Sequence, residues 1–448
     1  MLSRNWFVKN ICPMKKNIGI SAVMLSRNVV TKLVCKKKSY LETNIKLILN
    51  IVYIHKHMGH YSDLSIYLTK QLENNEKKQN GIYFTPPETI QKNIEYLKPY
   101  MDNVKEILEP SCGSCEYIRA IHQKYHVNIT GIEYNNTIYE SIKHLYPNLI
   151  HDDFIAHNFD KTFDLIIGNP PYFVVKKNDI DKEYHKYFDG RPNIFLLFLI
   201  KSLKLLSKDG ILSFVLPKSF LNCIYYDKTR KYIIEHFHIL TIMDCNDKYI
   251  ETQQDTIIII IQNKSTPSLE FYKTISNITL FGTETNIKTL QELYKQSTTL
   301  YSLGFDVNVG TIVWNQCKQE LSDDDTKTRL IYSSDIVNNE LSKKTYKNKD
   351  KKNYIQRDGL SEPLLVINRG YGKGKYSFNY CIVKHISYLI ENHLICIKPR
   401  VPMNNLMEHY ENIVRSFQHK KTQEFIDIYF GNNAINTIEL CKILPIYI

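Results

Sequence analysis

From about residue 81 to residue 264, short runs of β-branched and aliphatic residues alternate with stretches whose apolar positions recur at helical spacing. That alternation is the pattern of a parallel sheet wound with helices on both faces. It predicts strands at Val104–Leu108, Asn128–Ile132, Leu149–Asp152, Phe163–Ile167, Ile211–Leu216, Leu240–Met243 and Thr256–Ile261. Between them, Thr137–Tyr146, Asn193–Leu206 and Lys218–His236 have the length and spacing of crossover helices. Phe195, Leu196, Leu199, Leu203 and Leu206 fall at helical intervals and read as core rather than as a ligand box. The last two strands lie close together after the final long helix, as an antiparallel edge on a parallel sheet would. Beyond Gln262 the runs shorten and Gly, Asn and charge are scattered among them, which predicts a separate region, mixed, with more strand than helix before Ile397.

Composition narrows the class without naming it. A chain of 448 residues that is 43% hydrophobic and 23% charged has enough apolar material for two or three cored domains, which excludes disorder. Its longest apolar runs, such as Ile194–Ile200 and Ile257–Ile261, fall well short of the ~20 residues that span a bilayer, so no membrane span is expected. Ten scattered cysteines are too dilute for a disulfide framework and point to a reducing, intracellular compartment. Cys112 and Cys115 have metal-ligand or redox spacing, but no second pair follows at zinc-site distance, and no metal is expected.

The net charge of +12 invites a nucleic-acid reading, but its distribution weakens that inference. Residues 1–57 carry +10, residues 58–264 carry −2 and residues 265–448 carry +4. The first segment repeats MLSRN at Met1–Asn5 and Met24–Asn28, and a fresh segment opens at Met58. It is expected to be a basic N-terminal extension without a catalytic part, with a transit peptide as the alternative that leaves organelle targeting open. The local excess of interest runs from Lys343 to Lys375, ten basic residues against Asp350, Asp358 and Glu362, and Lys343–Lys352 reads as a solvated loop.

Candidate chemistry sits at the predicted strand ends. The first strand runs into Glu109-Pro110-Ser111-Cys112-Gly113-Ser114-Cys115, a small-residue turn that lets backbone N–H groups approach a ligand at the next helix's positive end. The second ends in Glu133-Tyr134, where α/β cofactor sites place an acid that accepts from ribose hydroxyls. The third ends in Asp153-Phe154, an acceptor beside an aromatic face, suited to an adenine ring. The fourth ends in Asn169-Pro170-Pro171-Tyr172. Two prolines hold that backbone extended, so the Asn169 side-chain oxygen and the Pro170 carbonyl form a fixed row of acceptors for a planar amine, with the Tyr172 ring beside them.

With Gly81-Ile82-Tyr83-Phe84-Thr85-Pro86-Pro87 standing before the first strand, this order of motifs resembles the Taq-type, gamma-group DNA adenine-N6 methyltransferases, which use S-adenosyl-L-methionine (AdoMet). The resemblance covers about residues 81–262 and more loosely the C-terminal region. It implies a Rossmann-like seven-stranded AdoMet methyltransferase sheet at 58–264 and a strand-rich target-recognition domain at 265–448. By that resemblance Thr85, Glu109, Pro110, Ser111, Gly113, Glu133, Tyr134, Asp153, Phe154, Asn169 and Pro171 would contact AdoMet. Asn169, Pro170, Pro171 and Tyr172 would hold a flipped adenine, a base that a duplex otherwise hides. Where the family has a second base-stacking aromatic this chain has Lys248-Tyr249-Ile250, so either Tyr249 fills the role through a one-residue slip or that face is lost.

The expected partner is double-stranded DNA, read by residues 265–448, with Arg369, Lys373 and Lys375 of the Arg369–Lys375 segment as candidate contacts; the rival for that segment is a solvated hairpin loop. A monomer suffices for this chemistry, and a cognate restriction endonuclease is a partner the resemblance allows. Enzymes that methylate RNA bases or protein glutamine amides use the same Asn-Pro-Pro-Tyr arrangement and are the rivals within the class. A catalytically inactive AdoMet fold that binds nucleic acid is the rival outside it.

Overall fold

A computed structural model describes residues 61–247, 249–252, 254–369, 379–429 and 435–448. The basic segment 1–57 with its MLSRN repeats lies outside the described residues, as do Lys373 and Lys375. Three helices lead in: α1 (Asp63–Gln71), α2 (Asn74–Asn80) and α3 (Pro87–Leu97). Ser62 caps α1 by accepting the Ser65 N–H, and α2 stops at Gly81, which takes a left-handed φ of 61°.

The central sheet follows as β1 (Glu106–Glu109), α4 (Glu116–His122), β2 (Asn128–Glu133), α5 (Asn136–Ile142), β3 (Leu149–His151), β4 (Phe163–Gly168), α6 (Ile194–Lys204), β5 (Leu206–Pro217), α7 (Asp227–His236), β6 (His238–Cys245) and β7 (Thr256–Gln262). Its strand order is β3-β2-β1-β4-β5-β7-β6, with β7 antiparallel to both of its neighbours. All seven strands fall where the apolar runs predict them.

Two expectations need correction. The antiparallel strand lies one in from the edge: β7, whose Ile257–Ile261 are fully buried, pairs with both β5 and β6, and β6, with half-exposed His238 and Asp244, takes the edge. The helix expected at Lys218–His236 begins only at Asp227 and is preceded by short 3₁₀ turns at Lys218–Leu221 and Ile224–Tyr226. The carbonyls of Phe220 and Cys223, which a continuous helix would occupy, instead accept from the buried Arg230 guanidinium at 2.9 Å each.

Alternation along β7 divides the core. Ile257, Ile259 and Ile261 face a layer containing Phe195, Leu196 and Ile233 of α6 and α7, while Ile258 and Ile260 face Ile90, Ile94, Ile118 and Ile138 of α3, α4 and α5. The stripe Phe195, Leu196, Leu199, Leu203 and Leu206 is buried in the first layer, as its spacing predicts.

After β7 come β8 (Tyr272–Ile275), β9 (Ile278–Phe281) and α8 (Glu284–Leu293). Ten strands then follow: β10 (Phe305–Val309), β11 (Leu321–Ser322), β12 (Thr328–Ile331), β13 (Ile336–Val337), β14 (Glu340–Leu341), β15 (Tyr354–Ile355), β16 (Leu364–Asn368), β17 (Tyr380–Val383), β18 (Tyr388–Ile390) and β19 (Leu394–Pro399). They build two four-stranded sheets, β10-β19-β16-β17 and β11-β15-β12-β18, plus the hairpin β13-β14. Helices α9 (Leu406–Phe417), α10 (Lys420–Tyr429) and α11 (Thr437–Lys442) close the chain's core against the first of these. No helix among the described residues is long and apolar enough to cross a membrane.

Arg230 joins the central sheet to the β8–β9 hairpin. Its Nε donates to the Thr279 carbonyl at 2.6 Å, and Asp227 accepts the Thr279 N–H at 2.7 Å, so one turn of α7 grips β9. Asn222 donates its side-chain amide to the Tyr429 carbonyl, and the Tyr429 hydroxyl donates to the Asn222 carbonyl, which ties α10 to the same corner. Removing the buried cation leaves three carbonyls without their donor, while Asp227 keeps Lys231 at 2.9 Å and the Thr279 N–H. Arg230→Met is therefore expected to lower the unfolding free energy by about 3–5 kcal/mol, read from the urea midpoint of the full chain.

Candidate active site

The carboxyl ends of β1, β2 and β4 converge, and three hydrogen bonds fasten the turns that leave them. The Ser111 hydroxyl donates to the Asn169 carbonyl at 3.1 Å, the Cys112 N–H to the Ile132 carbonyl at 2.8 Å, and the Gly113 N–H to Glu133 Oε2 at 2.9 Å. The other Glu133 oxygen accepts the Asn135 N–H at 2.7 Å, and Asn135 in turn caps α5 by accepting from Ile138. Cys112 and Cys115 are free, buried thiols flanking this turn.

A cavity of about 390 Å³ opens over these ends. Of the residues singled out in the sequence, Pro110, Ser111, Gly113, Glu133, Tyr134, Asp153, Phe154, Asn169 and Pro171 line it. Tyr134 is 70% exposed at the rim, whereas Phe154 is buried except where it meets the cavity. Asp153 lies in a turn in which its side chain accepts the Ile155 N–H at 2.8 Å.

Five singled-out residues do not line the cavity. Thr85 and Pro170 are buried behind it, and Ile82, Tyr83 and Phe84 form the wall where Thr85 is expected. Glu109 is buried with one carboxylate oxygen lacking a partner, and burial, with Cys115, Glu116 and Glu133 nearby, holds its pKa well above the ordinary value. Its place is beneath the turn, where burial favours the neutral carboxyl over the charged one. Tyr172 is turned inward: its ring meets Phe195 edge-on at 6.0 Å, and its hydroxyl lies 2.5 Å from Asn169 Oδ1 and 2.8 Å from the Val215 carbonyl, with one proton to give to either. Tyr249 is also buried, beside Asn169 and Thr256, and lines a small adjoining cavity with Tyr83 and Phe84.

Burial also pushes the Glu133 carboxyl up to about 6, against the lowering effect of the Asn135 and Gly113 N–H groups. The site therefore contains an acid that titrates just below neutrality and that already uses one lone pair of each oxygen internally.

Several contributors carry no signal in the motifs. Phe173, Ile194 and Phe198 complete the apolar side of the cavity, the last two from α6 but outside the stripe that spacing assigns to core. Lys201, one turn further along α6, donates to the Ile155 carbonyl at 2.8 Å and lies 5.2 Å from the Phe154 ring, bracing the Asp153–Phe154 turn from outside. The β6–β7 connection holding Tyr249 is pinned to the leading helices: buried Lys77 pairs with Glu251 at 2.7 Å, and Thr89 donates to Asp247 at 2.7 Å. Further along the chain, Arg369 is half-buried just past β16. In the lysine-rich loop Lys344, Lys347 and Lys349 are solvated as expected, but Lys351 sits 4.0 Å from the centre of the Tyr332 ring and 4.5 Å from that of Tyr346.

Residues 49–250 match the family described as Eco57I restriction-modification methylase. Over 401 residues the chain is 25% identical to the type II methyltransferase M.CvrRI of Paramecium bursaria Chlorella virus XZ-6E, covering 86% of this chain and 99% of that protein. The chain is similar to restriction-modification methyltransferases over most of its length. The modification methylase CviBIII of Paramecium bursaria Chlorella virus NC1A is 26% identical over 407 residues, again covering 86% and 99% of the two chains. The likeness to these viral methylases therefore takes in the strand-rich C-terminal region as well as the central sheet. Among solved structures, the DrdV–DNA complex superposes with a TM-score of 0.49 at 14% identity, over 84% of this chain and 58% of that one.

One contact makes the cavity wall intolerant of change. A Cβ at Gly81 would stand 2.4 Å from the Tyr172 backbone nitrogen, and the position already requires positive φ. Gly81→Ala should cost at least about 1–2 kcal/mol from the backbone alone, lowering the urea midpoint, and the steric overlap should push the Asn169–Tyr172 segment out of place.

Proposed function

We propose that the chain is a site-specific DNA adenine-N6 methyltransferase that takes its methyl group from S-adenosyl-L-methionine. The observation that carries this reading is the convergence of Glu133, Asp153-Phe154 and Asn169-Pro171 on one cavity at the carboxyl edge of the sheet. The cavity suits a nucleoside-bearing ligand: it offers a carboxylate at the end of β2, an exposed aromatic rim at Tyr134 and apolar faces at Phe154 and Phe198. The viral methylases, similar along 86% of the chain, support a DNA substrate.

Bound AdoMet supplies an electrophilic methyl group. The chain's own residues supply the rest. Glu133 has lone pairs left to accept from ribose hydroxyls, and Asp153 and Phe154 offer an acceptor and a face to a purine. The amino lone pair of adenine is delocalised into its ring and is a poor nucleophile. An acceptor at Asn169 Oδ1 favours the pyramidal nitrogen that can react, so catalysis consists of positioning and hydrogen bonding without a covalent enzyme intermediate. A base buried in a duplex cannot reach this cavity, so the adenine is flipped out of the helix.

Residues 58–264 form the catalytic part in this reading, and residues 265–448 read the DNA target, with Arg369 and the exposed lysines of the 343–352 loop near phosphates. One copy of the chain suffices, and a restriction endonuclease cutting the same sequence is the natural counterpart of such an enzyme.

The test is to express residues 58–448 in a bacterium without DNA methylation and map N6-methyladenine across its genome. Methyladenine confined to one short sequence is expected, and Asn169→Ala should reduce it by ~10² or more in turnover, the scale of one positioned transition-state hydrogen bond. An unmodified genome from a soluble protein that binds AdoMet would overturn the DNA reading in favour of RNA or protein amides.

The Glu133 carboxyl gives a second check. Ribose hydroxyls are accepted best by the ionised form, so AdoMet affinity should rise with pH up to about 6, by at most tenfold per unit, and level off above. Titration calorimetry across that range should show the slope in the native chain and its absence in Glu133→Gln.

A further inference from the structure

We propose that Lys351 anchors a pre-ordered loop, residues 343–352, whose unpaired cations Lys344, Lys347 and Lys349 meet the phosphates of duplex DNA. This deepens the reading of the C-terminal region as the part that faces DNA, and rests on that reading for the identity of the polyanion.

The cations in this part of the chain fall into two groups. Lys318 pairs with Asp350 at 2.8 Å, Lys352 pairs with Asp323, and the Arg357 guanidinium takes both oxygens of Glu320. Lys318 thereby occupies Asp350, the one acid within the loop. Lys344, Lys347 and Lys349 are exposed and have no carboxylate partner. A cation paired with a carboxylate must lose that partner before it can serve a phosphate. A free lysine has only solvent around it, and its contact with DNA is favoured by the counterions the duplex gives up.

Free charge on a floppy loop binds less well, because the loop must be ordered at the moment of contact. Here it is ordered beforehand. The loop runs from β14 to β15, and its base is closed by Asn353, whose Nδ2 donates to the Lys344 carbonyl at 2.9 Å while its Oδ1 accepts from the Arg329 guanidinium at 2.8 Å. Arg329 can only donate and the carbonyl can only accept, so this amide has a single orientation. The Tyr332 hydroxyl donates to the Lys352 carbonyl at 2.9 Å and holds the returning strand of the loop.

Lys351 closes the remaining side. Its ammonium lies 4.0 Å from the centre of the Tyr332 ring, 4.5 Å from that of Tyr346 and 6.0 Å from that of Trp314. Tyr346 belongs to the loop, whereas Tyr332 and Trp314 do not, so one cation joins the loop to the sheet behind it. The rings are themselves held: the Tyr346 hydroxyl donates at 2.5 Å to Asp335, a fully buried carboxylate that Arg329 also grips at 2.7 Å, and the Tyr332 and Tyr346 rings meet edge-on at 5.2 Å. Among the lysines of the loop, Lys351 is therefore the one turned inward, and its charge serves the protein rather than the partner.

Two readouts separate an anchor from a phosphate contact. In the full chain without nucleic acid, Lys351→Met should open the loop to trypsin, raising cleavage after Lys344, Lys347 or Lys349 by about threefold or more, and Lys351→Arg, which keeps a cation over the rings, should restore resistance. On a random-sequence DNA duplex, Lys344→Ala, Lys347→Ala and Lys349→Ala should each flatten the slope of log affinity against log salt by about 0.9. Lys351→Met should instead weaken binding by about three- to thirtyfold, the worth of a cation–π contact, with the slope unchanged, because the loop then orders on the duplex and keeps its phosphate contacts.

Unchanged resistance to trypsin in Lys351→Met, or a slope flattened as much by Lys351→Met as by Lys347→Ala, would overturn the anchor. A full slope after all three free lysines are replaced, on DNA that the chain still methylates, would overturn the phosphate contacts and leave the methyltransferase reading in place. A slope that depends on these lysines in a chain that methylates no adenine would keep the loop's role and remove the adenine reading. A chain that binds no duplex at all would overturn both.

Discussion

Everything at the carboxyl edge depends on three turns being held in register by hydrogen bonds between them. Parallel strands deliver β1, β2 and β4 to the same edge, but strands alone leave their connecting turns free to diverge. The bonds from Ser111, Cys112 and Gly113 to Asn169, Ile132 and Glu133 remove that freedom. They make the ligand-facing turn of β1 a shared structural member, so the position of Asn169 is coupled to the position of Glu133 through backbone rather than through long side chains. A catalytic group on such a base loses little entropy when substrate arrives.

The sheet was legible because its signals are local and redundant. Val, Ile and Leu runs mark strands wherever both faces are covered, and each crossover helix carries its own stripe. The site was legible in part for a related reason: residues at the ends of parallel strands must meet. What the pattern could not show is which way a side chain turns. The motif puts the Tyr172 ring beside the acceptors of the site, and the ring turns inward, because Phe195 and the Val215 carbonyl, both distant in sequence, offer it a ring and an acceptor. Thr85 gives way to Ile82–Phe84 at the cavity for the same reason, since the Gly81 turn decides which residues of that segment face in. Nor could spacing foresee the break before α7, where helical carbonyls are traded for an arginine that grips β9.

That trade shows how the two halves of the chain are related. Arg230 and Asp227 reach β9, and Asn222 meets Tyr429, so the corner where the central sheet ends is also the corner from which the strand-rich region is hung. Glu439 of α11 is buried close to the same arginine and is pushed up to about 7 by that burial. Polar groups concentrated at one buried corner specify a single relative placement more sharply than an apolar contact of equal area, because each unmatched group would be costly.

The ion pair between Lys77 and Glu251 has a consequence of a different kind. Its cation is almost wholly withdrawn from solvent, so mobile ions screen it poorly, whereas the exposed lysines of the 343–352 loop are fully open to screening. The wall of the cavity and the surface of the loop therefore answer to ionic strength in different ways. Salt that screens the exposed lysines leaves the Lys77–Glu251 pair, and with it the β6–β7 wall of the cavity, in place.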